Sequence, residues 1–391
     1  MRQNGQWQQK FAPLSAMPPM QRLAAADEND VTDFASKLHA GFDLGAGPLF
    51  GTIFATLPDG SGRLILAAHH LIVDGVSWRM IVADIERHYL ETGTIRSGAS
   101  RAGSWKQPAF AVGAFRRRGG ILARHMRGRR AGRCHSNNES GSNTQSGAVT
   151  YRQTIDAETT SNCLGMCRNA SASPRTKFWS QPFIWRCGNG AESHVCALKW
   201  KPRQTRTCSR ISTFPETVGW LTGFIPVLFD TPDEATPDRL LLDVKDTLRR
   251  IPNNGVGFGV LKYLRNKGER LDYGKPQVRF NYLGQMDAMF AADSLLRRQA
   301  SHPSDVRPDN PRDAILEINA MVVRGELQLQ WVYGAQLHSE DTIRTLAGHF
   351  RDNLETLIQH CLNGSGAGFS PSDFPLMDLG QDELDNLLKS L

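Results

Sequence analysis

His69-His70-Leu71-Ile72-Val73-Asp74-Gly75-Val76-Ser77-Trp78 is the stretch on which the reading of the fold turns. It follows Arg63 to His69, an apolar run that reads as a strand. It precedes Ser77 to Tyr89, where Trp78, Ile81, Val82, Ile85 and Tyr89 recur at helical spacing. Upstream, Pro48 to Leu57 reads as another strand, and Pro58-Asp59-Gly60-Ser61-Gly62 is a turn, so the two strands make a hairpin. Two histidines therefore close a strand, and an Asp-Gly turn opens a helix. Histidine is the side chain suited to moving a proton near neutral pH. Asp74 is the kind of group that holds such a loop, through hydrogen bonds or an arginine, and Gly75 lets the backbone turn without a Cβ clash. A lone His-His at a strand end is more often a packed pair. Asp74-Gly75 at this distance, with Ser77-Trp78 behind it, favours chemistry.

The surrounding chain is long enough, at 391 residues, for one large domain or two packed lobes. No run of about 18 apolar residues is present, which argues against a membrane span. Met1 to Met20 are polar and glutamine-rich rather than signal-like, so a cytoplasmic location is expected. The net charge of +7 is unevenly spread. From Pro108 to Arg210, 18 Lys and Arg stand against 4 Asp and Glu, while the rest carries 28 against 35. Six of the seven cysteines (Cys134, Cys163, Cys167, Cys187, Cys196 and Cys208) share that block. Neither helical nor strand periodicity is sustained there, and Ser136 to Gly147 reads as linker or disorder.

Order is expected again from Thr217. Pro232 to Arg250 carries a helix face of Leu240, Leu241, Val244 and Leu248, and Gln277 to Tyr282 reads as a strand. Ala314 to Val323 and Glu326 to Tyr333 alternate around Arg324-Gly325, a tight hairpin. Ser339 is placed to cap a helix whose stripe is Ile343, Leu346, Phe350, Leu354, Leu357 and Ile358, ending at Asn363-Gly364.

The opening stretch resembles the HHxxxDG motif of the condensation superfamily, which has a chloramphenicol-acetyltransferase-like fold, and Ser77-Trp78 is similar to its epimerization branch in nonribosomal peptide synthetases. Thr217-Val218-Gly219-Trp220-Leu221-Thr222-Gly223-Phe224-Ile225-Pro226-Val227 resembles that branch's TVGWFT…PV segment. Ile251 to Gly259 resembles its P-x-x-G-x-G segment, Arg279-Phe280-Asn281-Tyr282-Leu283-Gly284-Gln285 its RFNYLGQ segment, and Phe369 to Leu376 its closing PSDFPL. The resemblance covers roughly residues 40 to 107 and 217 to 391. It implies an α/β sandwich of two lobes: residues 1–107 an incomplete N-terminal lobe, 108–210 an anomalous, disordered segment, and 211–391 the C-terminal lobe. It also implies inversion of an L-aminoacyl or L-peptidyl thioester to the D form. The substrate arrives on the phosphopantetheine of a peptidyl carrier protein, with neighbouring synthetase modules as partners. No cofactor is bound directly, and no nucleic acid or membrane is engaged. His70 maps onto an acid–base residue and Tyr282 onto a site tyrosine. His69, Asp74, Gly75, Ser77, Trp78, Gly219, Trp220 and Asn281 map onto motif or structural positions. A condensation domain forming amide bonds, with the same His70, is the alternative, as is a non-catalytic remnant that binds carrier proteins.

The pattern breaks where the branch places a glutamate on the far face of the substrate, in an E-x-H-G-R-like segment before Thr217. No carboxylate lies between Glu192 and Glu216. A reading-frame slip accounts for this: with allowed codons, Lys199-Trp200-Lys201 shifted by one base reads E-M-E, and Ser209 to Glu216 can be made to end in DISR, running into Thr217. Charge, cysteine content and periodicity change at the same boundaries. The start also falls about seventy residues inside the family pattern, as for an internal methionine taken as a start. Both features predict a chain that does not catalyse. A zinc module lacks paired CxxC spacing, and a nucleic-acid module lacks a recognition pattern beside its arginines.

Overall fold

The computed structural model describes residues 2–3, 6–7, 18–91, 138, 140–169, 194–200, 218–220, 222–229, 236–251, 255, 258, 277–287, 294, 296–297, 306–363, 383–384 and 386–387. The chain forms two compact units. The first gathers Met1–Gly103, Thr213–Leu221 and Met289–Arg307, the second Ser104–Ser212, Thr222–Ala288 and Pro308–Leu391. The architecture is α/β in both.

In the first unit, β1 (Arg2–Gln3) and β2 (Gln6–Trp7) pair with each other. A separate sheet runs β3-β4-β5, from β3 (Gln21–Ala24), β4 (Phe50–Thr56) and β5 (Gly62–Ala68). β4 and β5 pair antiparallel across the Pro58 to Ser61 turn as expected, and β3 joins β4 in parallel. Helix α1 (Glu28–Ala40) begins where the Asp27 carboxylate accepts the Asn29 and Asp30 amides. The small core is Ala25, Ala55 and Leu57 with Val31 and Phe34 against them. Helix α2 (Gly75–Leu90) follows β5. Val82 is buried on its inner face, whereas Tyr89, expected on that face, lies in the last turn and is exposed.

The second unit holds a six-stranded sheet in the order β6-β11-β10-β9-β7-β8. Its strands are β6 (Ala148–Ile155), β7 (His194–Trp200), β8 (Gly223–Phe229), β9 (Val278–Gln285), β10 (Leu316–Val323) and β11 (Glu326–Gly334). The central β10-β9-β7 pairings are parallel, and β6-β11, β10-β11 and β7-β8 are antiparallel. Strand alternation puts Val278, Phe280, Tyr282, Leu316, Ile318, Leu327, Leu329 and Trp331 on one buried face. Against them pack helix α3 (Ala157–Asn169), helix α4 (Pro237–Arg249) and helix α5 (Glu340–Leu362). The expected α5 stripe is in place, capped by Ser339, with Ile343, Leu354 and Leu357 fully buried. α4 starts at Pro237 rather than Pro232, because Thr236 accepts the Arg239 amide and a proline suits the first helical position.

Two local devices set the register of the sheet. Arg324 and Gly325 both have positive φ, making the two-residue turn whose twist matches β10 and β11, and Asp287 accepts both of their amides at 2.6 and 3.3 Å. In β9 the pairing with β10 skips Leu283, and Gly284 sits at φ 90°, so the Leu-Gly of the RFNYLGQ stretch encodes a bulge that only glycine fits easily.

The expectation of no regular element across 108–210 is corrected at β6 and α3, and the backbone of β7 lies in the same block. The basic, cysteine-rich composition averages over residues 140–169, whose own pattern is ordinary: Tyr151, Gln153 and Ile155 alternate inward, and Asp156 caps α3 by accepting the Thr159 amide. Gln153 is polar where alternation calls for an apolar residue, which hid the strand. It is buried because both ends of its amide are used. Its Nε2 donates to the Ala347 carbonyl at 2.6 Å, and its Oε1 accepts the Trp331 indole N–H at 3.1 Å. Trp331 in turn meets Phe350 edge to face. Residues 92–137, 170–193 and 201–217 lie outside the described residues, as do most of the P-x-x-G-x-G stretch and the closing Phe369 to Leu376.

Gln153→Leu strands the Trp331 donor, so it should cost about 1–3 kcal/mol in urea unfolding; adding Trp331→Phe should recover part of that loss, because a paired removal leaves no buried donor unmet. The amide and hydroxyl of Thr159 hold the Asp156 carboxyl below its ordinary 3.8. Its stabilising contribution is complete above 3.8 and vanishes as pH falls through the lower native value. Asp156→Asn should therefore flatten the acid limb of stability against pH, measured as urea midpoints from pH 5 down to about 3.

Candidate functional site

The site is built where β5 ends. The His69 amide donates to the Leu49 carbonyl at 2.8 Å, which carries the hairpin pairing one residue further. The chain then turns, with the Ile72 amide on the His69 carbonyl at 3.0 Å. His69 Nδ1 accepts the Leu71 amide at 3.2 Å, which assigns its neutral-form proton to Nε2. Among the described residues, the imidazole of His70 has no hydrogen-bond partner, and it is exposed. One histidine of the pair shapes the loop. The other is left at the surface without such a bond.

Asp74 fixes this loop to α2. It is 1% exposed, and a single carboxylate oxygen accepts the Val76 amide at 3.1 Å, the Ser77 amide at 2.8 Å and lies 2.9 Å from the Ser77 hydroxyl. The residue is extended, as an N-cap should be, and its carbonyl accepts the first helical amide, from Trp78. Of the two expected ways for Asp74 to hold the loop, hydrogen bonds or an arginine, these contacts are hydrogen bonds.

Ser77, fully buried on the first turn, reaches a segment 142 residues away. Its Oγ accepts the Gly219 amide at 3.0 Å and lies 2.9 Å from the Gly219 carbonyl, to which it can also donate. The next residue, Trp220, brings its ring to 4.8 Å from the His70 ring, tilted by 40°. Thus His70, Asp74, Ser77, Gly219 and Trp220 come together within the first unit. Gly219 and Trp220, expected as structural, carry contacts that no local sequence signal could have located.

Tyr282 and Asn281 lie on β9 in the second unit. Tyr282 is 5% exposed and belongs to that unit's apolar core. Asn281 points to the opposite face and donates from Nδ2 to Asn319 Oδ1 on β10 at 2.9 Å. The stretch expected to hold a far-face glutamate falls on the backbone of β7 and on residues outside those described. Among the described residues no group of three or more His, Cys, Asp or Glu could hold a metal, and no helix is long and apolar enough to cross a membrane.

An exposed imidazole at a strand end thus stands beside a helix whose first turn is locked by a buried aspartate. The chain belongs to the condensation-domain family: the family model "Condensation domain" matches residues 1–100 and 202–374. Among curated relatives it is 27% identical to surfactin synthase subunit 1 of Bacillus subtilis (strain 168), over 94% of this chain and 10% of that protein. It is also 27% identical to bacitracin synthase 3 of Bacillus licheniformis, over 93% of this chain and 6% of that protein. The chain thus spans a small fraction of the synthetases it matches. Among solved structures it resembles the epimerization domain from the third module of tyrocidine synthetase B, with TM-score 0.76, 21% identity, 93% of this chain and 84% of that one covered. It also resembles the condensation domain from Monacolin K polyketide synthase, with TM-score 0.65, 12% identity, and 88% and 79% covered. The fold is therefore chloramphenicol-acetyltransferase-like. The family match passes over residues 101–201, which include β6, α3 and β7.

Asp74→Ala removes the α2 cap and one of the two acceptors within reach of the Ser77 hydroxyl. It should cost about 2 kcal/mol, near the upper end of N-cap losses, measured by chemical unfolding of the first unit.

Proposed function

We propose that this chain derives from the epimerization branch of its family and is silent in its present form. The reaction of that branch inverts the α-carbon of an L-aminoacyl or L-peptidyl group held as a phosphopantetheine thioester on a carrier protein. What carries the reading is the Ser77–Gly219 contact, which joins the two stretches most like that branch, the Ser-Trp after HHxxxDG and the TVGW segment.

In this reading the open His70 imidazole exchanges the Cα proton on one face. The thioester carbonyl acidifies that proton, and the enolate-like charge needs donors aimed at its oxygen. Inversion also needs a proton carrier on the opposite face. The sequence has no carboxylate between Glu192 and Glu216, where the branch keeps one, and that gap is the ground for the silence. Tyr282 is assigned to the site by resemblance alone. No cofactor binds by itself: the phosphopantetheine comes with the carrier protein, and the partners are that domain and neighbouring synthetase modules in the cytoplasm.

Two other readings share these residues. In a condensation domain His70 assists amide formation, and the family match stands at that broader level. A carrier-binding remnant without chemistry is the other.

Incubating the chain with an L-aminoacyl carrier protein should return only the L thioester, and a D-configured thioester would defeat the proposed silence. A D-configured thioester formed once the shifted frame between the codons for Gln107 and Thr217 is restored assigns the epimerization reaction, and an amide product assigns the condensation reaction. Transcript sequence that reads without interruption through that interval would sink the frame-slip account.

A further inference from the structure

We infer that Trp220, locked in place by Ser77, is a positioning residue that sets the orientation of the His70 imidazole. The argument starts from what an acid–base imidazole requires. Its ring must be held in one orientation, yet the nitrogen that exchanges a proton cannot be tied up by a permanent partner. The usual solution, a hydrogen bond to the second ring nitrogen, is absent here among the described residues. His69 is the histidine that makes such a bond, through Nδ1 to the Leu71 amide. His70 instead meets a ring. At 4.8 Å between centroids and 40° between planes, the indole of Trp220 lies in the range of aromatic pairs, about 4.5–7 Å. Imidazole nitrogens donate and accept in the ring plane, so a contact with Trp220 limits rotation about χ2 while leaving both nitrogens reachable.

A tryptophan that is itself 43% exposed can orient a neighbour only if its backbone is fixed. Ser77 supplies the fixing. Its Oγ accepts the Gly219 amide at 3.0 Å and lies 2.9 Å from the Gly219 carbonyl, and Gly219 immediately precedes Trp220. Ser77 is held in turn by Asp74, the same carboxylate that starts α2. The loop that presents His70 and the segment that presents Trp220 therefore share one anchor. A serine at this position does more than begin a helix: alanine there keeps the helix and loses the tether.

The inference deepens the reading of His70 as the acid–base residue, and its test reads ring geometry rather than turnover. The chain is labelled with [13Cε1]histidine, and the His70 resonance is assigned as the one missing in His70→Gln. In the parent protein its Cε1–H should be displaced by the indole ring current. Trp220→Ala should abolish the displacement, Trp220→Phe should keep part of it, and Ser77→Ala, with both rings intact, should reduce it. Unmoved resonances of His338 and His360, which lie in the second unit, report that each variant remains folded there; Trp220→Phe and Ser77→Ala serve if the alanine at 220 disrupts the first unit. A His70 resonance unchanged by Trp220→Ala and Trp220→Phe overturns the positioning role. One that responds to Trp220 but not to Ser77→Ala overturns the tether. A displaced resonance in a protein whose frame-restored form makes an amide rather than a D-configured thioester would remove the proposed function and leave this inference standing.

Discussion

A carboxylate almost wholly withdrawn from water needs its donors supplied by the protein. Asp74 meets that demand with the amides of the next helix turn and a serine hydroxyl, and most of what is recognisable in the first unit follows from it. The bonds define where α2 begins, so they also define how many residues are left to turn out of β5. That count places His69 where its ring can fold back on the Leu71 amide and leaves His70 beyond it. Gly75 belongs to the same logic, as the residue that opens α2 directly behind the buried cap. Only one histidine of the motif bonds back into its own loop; the other stands exposed at the end of the strand.

The second unit meets a similar demand with uncharged groups. Gln153 crosses from the sheet to α5, and its amide satisfies an indole and a helix carbonyl at once. Thr160 does the corresponding work at the other end of β6, accepting the Leu327 amide where the ladder would otherwise end. Such bonds contribute modestly when made and cost heavily when half of the pair is lost. Around them sits an apolar face of ordinary aliphatic and aromatic residues, which supplies the bulk of the stabilisation at roughly 1.5–3 kcal/mol for each large side chain buried.

The sequence was most readable where one rule acted alone. Hairpin strands β4 and β5, the β10–β11 pair and the α5 stripe follow from alternation, turn chemistry and helical spacing, and the structure has them within a few residues of where they are expected. β6 and α3 are masked by the basic, cysteine-rich hundred residues around them, and by Gln153 and Thr160, which occupy inward positions that apolar patterning assigns to Val or Leu. Their partners, Trp331, Ala347 and Leu327, lie between 167 and 194 residues away. The site divides in the same way. Asp74 and His69 act within a few residues and were legible as a motif. The meeting of Ser77 with Gly219, and of Trp220 with His70, depends on tertiary closure that no local pattern encodes.

The pairing of β6 with β11 has a temporal side. Ile155 lies opposite Leu327, so about 170 residues must leave the ribosome before the earlier strand can meet its neighbour. At roughly 5–20 residues per second, that is on the order of ten to thirty seconds during which β6 displays an unsatisfied edge. The β10–β11 hairpin, closed by two residues, assembles as soon as it emerges and offers the ready-made template. The β6–β11 seam can therefore close only after the C-terminal hairpin has emerged, however early the rest of the sheet assembles.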